Sequence, residues 1–490
     1  MKRLTDLRNC SIQAVVLIAC TLMSSAHVLA QAGIQVKLRS MINDSLLTKA
    51  QVGISVKNAR TGTLVYEYNG NSAFTPASNL KLLTTATALS VLGPDYTYST
   101  KLLYTGDVIN GGFGGTLCII GSGDPTLGSA KMPGVIRYQE LIRSWVTKIK
   151  ALGITQFEGR LLVNALKYEF NPIPKDYTWG DIGNYYGAGS YGININENQC
   201  VITLKPGVKI GGMTELVSVL PWDTSWSFVN HITTGPAGSG DKSIVYSSPY
   251  NSYVFAEGTI PSGNAFPVKG SIPDPAYLLA QLLITEMQQQ GITWKGRFEV
   301  IKPGEDIQIQ NECKILHEQF SPSVASIIKQ TNTISNNLYA EALLKEIGSK
   351  KGLRPSTTIG SINYVKRYMK SIGIDTNGMV LRDGSGMSPF NCITPNQITQ
   401  LLFKMESNKI FTSSLPVAGK EGTISHICKG TGEKIRLKSG TMNGTTCYSG
   451  YINGNSGTVY AVSFLVNKHE AKNKDIQRVL ESGLLAIMME

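Results

Sequence analysis

Ser78 and Lys81 lie three residues apart in the stretch TPASNLKLLTTATALSVLGP, residues 75–94. Apolar residues from Leu80 to Leu92 cover too many faces for a surface helix, so the segment reads as a central, buried one. Pro76 stands before it and Gly93-Pro94 ends it. Three residues of helix put both polar side chains on one face. A buried lysine loses hydration, which lowers its pKa, and a neutral amine beside a hydroxyl can act as general base toward a serine nucleophile. The simpler alternative is a helix cap at Ser78 and a lysine that snorkels to solvent.

Two further groups could complete such a centre. Ser335-Asn336-Asn337 opens a helical stretch whose buried stripe is Leu338, Ala342, Leu343 and Ile347. Serine and asparagine are ordinary helix caps there. A hydroxyl from Ser335 and an amide from Asn337 could equally relay a proton and hold a substrate amide. Lys438-Ser439-Gly440-Thr441 sits at a strand end in RLKSGTMNG. The lysine offers a positive charge to a carboxylate, and Gly440 lets another backbone approach the strand edge. The Thr441 N–H could join that of Ser78 in an oxyanion hole. An edge strand with a gatekeeping lysine is the plainer reading.

The elements that must position these groups are legible at both ends of the chain. QVGISVKNA and TLVYEYNG, joined by RTG, form a hairpin, with a helical stretch before it. EKIRLKSGT, TCYSGYING and TVYAVSFLVN read as three strands, followed by a helix from Asn473 to Met488. Together they suit one mostly antiparallel five-stranded sheet covered by helices, an α+β fold whose termini meet. The middle of the chain is then a large inserted α/β region between the first and second motifs. It carries a faint repeat, in which a helix, Gly-Ile-Thr and then Gly-Arg open a strand, at residues 137–163 and 275–300. Residues 1–30 are assigned to a leader. Residues 31–94 and 314–490 form a discontinuous catalytic domain, 95–204 and 268–313 an inserted domain, and 205–267 a further sub-domain. NGGFGGT, residues 110–116, lacks the lysine and following helix of a phosphate loop and reads as a hairpin turn.

Of 490 residues, 42% are hydrophobic and 16% charged, an ordinary globular balance, and the length suggests two to three domains. Lys2, Arg3 and Arg8 precede the apolar run AVVLIACTLM, and Val28-Leu29-Ala30 offers a cleavage site, so the protein is expected to be exported to the periplasm or cell envelope. LIAC also resembles a lipoprotein box at Cys20, but the apolar run continues past it, which favours cleavage after Ala30. The formal charge of +12 is scattered singly and gives no nucleic-acid site. It suits anionic envelope polymers and lipid surfaces, and so peripheral envelope association. The six cysteines beyond the leader are far apart without C-x-x-C, and five histidines show no ligand spacing. Neither a metal nor an organic cofactor is expected.

Ser-x-x-Lys, Ser-x-Asn and Lys-Ser-Gly, in this order, resemble the motif set of penicillin-binding proteins and serine β-lactamases. The stretches GSGDPTL (121–127), YTWGDIGNYYGAGSYGININENQ (177–199), DGSGMSP (383–389) and LPVAGKEGT (415–423) narrow the likeness. The chain is similar to the D-alanyl-D-alanine carboxypeptidase/endopeptidase family of peptidase S13, over nearly all of its length beyond the leader. The resemblance implies hydrolysis of the D-Ala-D-Ala bond of peptidoglycan stem peptides, cleavage of cross-links in many members, and acylation by β-lactams. It implies that Ser78 is acylated, that Lys81 takes its proton, and that Ser335 and Asn337 assist. Lys438 and Ser439 would then bind the terminal carboxylate. Asp181 and Tyr186 resemble positions that contact the stem-peptide side chain. One departure is Pro389, where the family often has an arginine able to bind a diaminopimelate carboxylate; it leaves third-residue specificity and endopeptidase activity open. The competing readings are a β-lactamase and a non-catalytic wall-binding or β-lactam-sensing protein.

Overall fold

The computed structural model describes residues 33–222, 224–305 and 313–490. The leader, its cleavage site and Cys20 lie outside the described residues. The chain divides into two compact units. One comprises the chain up to Thr75, with Ile393–Asn408 and Leu415–Glu490; the other comprises Pro76–Cys392 with Lys409–Ser414.

The first unit is built on one sheet. Its strand order is Ile435–Met442, Thr445–Asn453, Val459–Asn467, Gln51–Asn58, Leu64–Tyr68, and every pairing is antiparallel. The expected α+β layout, with the ends of the chain meeting in one five-stranded sheet, is therefore present. Strand alternation divides the two faces. Val52, Ile54 and Val56 face a core shared with Ile34, Leu38 and Met41 of the helix over residues 33–42 and with Leu480, Leu484 and Ile487 of the helix Asn473–Met489. Ser55 and Lys57 face the opposite way and bond to the helix Pro395–Met405: Ser55 Oγ donates to Asn396 Oδ1 at 2.7 Å and Lys57 Nζ to Gln400 Oε1 at 3.0 Å. On this face the pairing register sets Lys438, Ser449, Ser463 and Ser55 in one row across four strands. Ser449 Oγ donates to Ser463 Oγ at 3.0 Å, so the row is internally bonded.

The second unit surrounds the helix Lys81–Leu92, of which ten of twelve residues are buried. The helices Val324–Ile334, Asn337–Lys350 and Thr358–Ser371 pack against it. Its larger sheet has the order Arg297–Ile301, Arg160–Asn164, Thr116–Ile120, Ser99–Thr105, Lys314–Phe320. The sequence repeat is visible here: Arg160–Asn164 and Arg297–Ile301 lie side by side in parallel with Arg160 opposite Arg297, and their preceding helices, Tyr138–Lys150 and Pro275–Gln289, pack together. Asn110-Gly111 turns the hairpin Val108–Ile109/Gly112–Phe113, both at positive φ as a two-residue turn requires. Residues 199–271 supply two small three-stranded sheets. Cys118, Cys200, Cys428 and Cys447 are buried thiols. Among the described residues no helix is long and apolar enough to cross a membrane.

Gly450 faces Leu437, next to Lys438, across the outer strand pair. A Cβ at Gly450 would sit 2.2 Å from the Arg436 carbonyl oxygen. Backbone cannot yield as a side chain can, so Gly450→Ala is expected to destabilise by about 2 kcal/mol, seen as a lower urea midpoint.

Candidate active site

Ser78 stands in a 3₁₀ turn, Ala77–Leu80, that runs directly into the helix beginning at Lys81. The turn is tight: Ala77 has φ 46°, and its carbonyl lies so close to Gly386 that a Cβ there would meet it at 1.8 Å. The Gly386 of DGSGMSP is thus needed for this loop to reach the serine turn.

The Lys81 amine is completely buried and has three neighbours. Nζ lies 2.9 Å from Ser78 Oγ, 2.6 Å from Asn337 Oδ1 and 2.7 Å from the Ser385 carbonyl oxygen. Asn337 Nδ2 donates to the Tyr186 carbonyl at 2.8 Å, and this fixes the amide so that its oxygen faces the amine. Two of the three neighbours are therefore pure acceptors. They take two N–H bonds, and in the neutral amine the remaining lone pair points at the Ser78 hydroxyl. Burial pushes the Lys81 pKa down to about 7, against the attraction of Asp383 and Glu341. The unfolded chain keeps this amine protonated up to its ordinary value of 10.5. Between these two values the folded state binds fewer protons, so the Lys81 contribution to stability improves as pH rises from about 7 to about 10.

The loop that carries Ser385 is held by two buried carboxylates. Glu341, one turn after Asn337 on the same helix, accepts from Gly384 N at 3.0 Å and Ser385 N at 2.8 Å. It also accepts from the Tyr177 hydroxyl, which lies 2.8 Å from Ser385 Oγ. Asp383 accepts from Gly386 N, Ser388 N and Asn391 Nδ2. Burial and the neighbouring Glu341 raise the Asp383 pKa, while these hydrogen bonds oppose the rise. Sequence reasoning singled out neither carboxylate. DGSGMSP served only as a family stretch, and Glu341 gave a single signal, an acidic residue on the buried helix one turn after Asn337.

Of the expected residues, Ser78, Lys81 and Asn337 meet directly. Ser335 ends the helix Val324–Ile334 at a left-handed φ of 58°, and Asn336 caps the next helix by accepting from Tyr339 N at 3.2 Å. Asp181 accepts from Thr178 Oγ1 at 2.6 Å and bonds to the Tyr186 hydroxyl. Burial and Asp181 together push the Tyr186 pKa up to about 12. Lys438–Thr441 belong to the other unit and are described within it. They lie on the outermost strand of its sheet. Lys438 is buried there and donates to the Ser439 carbonyl at 2.7 Å, and Ser439 Oγ lies 2.6 Å from Thr423 Oγ1. Among the described residues no cluster of three or more His, Cys, Asp or Glu could hold a metal.

The loss of Glu341 would leave the buried Gly384 and Ser385 N–H groups without their acceptor. Glu341→Leu is expected to cost about 2–4 kcal/mol in urea unfolding, and Glu341→Gln, which keeps one oxygen, less than half of that.

Comparison with known proteins places this geometry in context. The model of the D-Ala-D-Ala carboxypeptidase 3 (S13) family matches residues 34–484. A D-alanyl-D-alanine carboxypeptidase of an Actinomadura species is 26% identical over 94% of this chain and 87% of its own length. The carboxypeptidase DacB of Haemophilus influenzae is 22% identical over 87% of this chain and 88% of its own. The crystal structure of penicillin binding protein 4 from Haemophilus influenzae shares the fold, with a TM-score of 0.76 at 20% identity, over 89% of this chain and 96% of that one.

Proposed function

The chain belongs to the D-Ala-D-Ala carboxypeptidase 3 (S13) family, and from that premise we propose how its own residues carry out the reaction. It is a serine-type D-Ala-D-Ala carboxypeptidase. In this reading Ser78 Oγ attacks the carbonyl of the penultimate D-Ala of a peptidoglycan stem peptide, and Lys81 Nζ takes the hydroxyl proton. The tetrahedral adduct collapses, the C–N bond breaks, and the proton passes to the departing D-Ala nitrogen. Water then releases the acyl-enzyme and Ser78 regains its proton. A β-lactam would acylate the same serine, with slow release.

The observation that carries the reading is the Lys81 amine held by two carbonyl-type acceptors with its third position on Ser78 Oγ. A capping serine and a solvent-seeking lysine need no such arrangement. Ser335 is assigned to proton transfer beside Asn337, whose second neighbour, the Tyr186 carbonyl, ties the 177–199 stretch to the serine. Lys438 and Ser439 are assigned to the terminal carboxylate, and Gly440 and the Thr441 N–H to the substrate backbone. Asp181 and Tyr186 are assigned to the stem-peptide side chain. The basic leader of the sequence supports export to the cell envelope, where that substrate lies.

The first experiment is labelling of the purified protein with a fluorescent penicillin beside Ser78→Ala, with mass spectrometry of the labelled peptide. A stable adduct on Ser78 that the variant lacks supports the acyl-enzyme. A folded protein with no adduct would favour a wall-binding role, and rapid turnover of the penicillin a β-lactamase. Because only the neutral amine accepts a proton, the acylation rate should climb about tenfold per pH unit up to about pH 7 and then level. Lys81→Met should acylate about a thousandfold more slowly and lose that rising limb.

A further inference from the structure

Tyr185 is 41% exposed, and two lysine ammonium groups stand over its ring: Lys131 Nζ at 5.4 Å and Lys269 Nζ at 5.7 Å from the centroid. Its neighbour Tyr186 supplies the carbonyl that orients Asn337. The two cations come from distant parts of the second unit and are held differently. Lys131 is fixed: Nζ donates to Gln199 Oε1 at 2.7 Å, its carbonyl accepts from Gln330 Nε2 at 2.7 Å, and its N–H lies within reach of Ser129 Oγ and Glu197 Oε1. Lys269 lies on the strand Phe266–Ser271, exposed between buried Val268 and Gly270. Like charges so placed repel each other. Burial lowers the Lys131 pKa, Glu197 opposes the shift, and Lys269 adds to it more weakly. The nearby anion, Glu197, is itself buried and is committed to Ser129, to the Tyr339 hydroxyl at 3.1 Å and to the Lys131 N–H, and it faces the buried side of Lys131.

A site with two cations beside one half-exposed aromatic ring, one of them partly desolvated, suits an anion borne on an apolar stem. We propose that Lys131, Lys269 and the ring of Tyr185 form a subsite for a carboxylate of the peptidoglycan stem peptide other than the terminal one assigned to Lys438. The inference rests on the Ser78 acyl-enzyme reading for its substrate. It makes the lysine pair a specificity determinant that does not touch the reacting atoms.

The test compares two D-Ala-D-Ala substrates in the wild type, Lys131→Gln, Lys269→Gln and the double variant. One is diacetyl-L-Lys-D-Ala-D-Ala, whose only carboxylate is terminal. The other is a stem pentapeptide with its side-chain carboxylates free. Each variant should raise KM about five- to tenfold for the acidic pentapeptide, with kcat within about twofold and with the diacetyl peptide unaffected. Penicillin labelling of Ser78 should proceed at the wild-type rate in all variants, and Lys269→Arg should restore the acidic substrate's KM. Equal effects on both substrates, or none on either, would overturn the subsite. Binding of the pentapeptide to Ser78→Ala, measured by calorimetry with and without the two lysines, gives a readout that does not depend on turnover. Loss of labelling in the wild type would instead sink the acyl-enzyme reading, while a lysine-dependent calorimetric signal would leave the subsite standing.

Discussion

An amine has room for only a few partners, and the site is organised by how those of Lys81 are filled. The Asn337 amide oxygen and the Ser385 carbonyl can only accept. With both in place, the one direction left for a lone pair is Ser78 Oγ. Each acceptor is in turn made fast: the Tyr186 carbonyl takes the other end of the Asn337 amide, and Glu341 grips the backbone on the N-terminal side of the Ser385 carbonyl. The serine turn and the DGSGMSP loop then meet at a contact that only glycine permits.

This arrangement asks an apolar helix to carry a polar stripe. Asn337, Glu341 and Lys345 follow one another at intervals of one turn on the largely buried helix Asn337–Lys350. Asn337 meets Lys81, Glu341 meets the Ser385 loop, and Lys345 donates to the Ser190 carbonyl at 3.0 Å with Glu169 at 3.6 Å. Burial lowers the Lys345 pKa, and Glu169 and Glu341 oppose the shift. One helix therefore holds three separate pieces of chain, each through a polar contact in a medium where an unmade contact is expensive. The same low dielectric that makes the stripe costly brings the Lys81 amine toward neutrality.

The parts of this design that repeat with a period were legible in the sequence. Alternation in QVGISVKNA and TVYAVSFLVN gave strands that do pair, and the apolar run after Lys81 gave a buried helix. The spacing of Ser78 and Lys81 placed them on one face, and they do meet. Glu341, Asp383 and Ser385 were not legible as site residues because their importance comes from backbone groups more than forty positions away along the chain or on the far side of a loop. Nothing local in the sequence marks such partners. Tyr185, Lys131 and Lys269 are a sharper case, since three unrelated segments meet there and none has a period or motif of its own. The short strands of residues 199–271 were likewise too irregular to order by pattern alone.

The first strand of the sheet, Gln51–Asn58, finds its central neighbour in Val459–Asn467, and nearly all of the other unit is made between them. During synthesis the hairpin at residues 51–68 therefore emerges with one edge of hydrogen-bonding groups uncovered, and it stays so while about four hundred residues are added. The strand that carries Lys438 is made almost as late. A ribosome that stops early, or a protease that clips the nascent C-terminus before Val459–Asn467, leaves this sheet unfinished, with a strand edge open to aggregation.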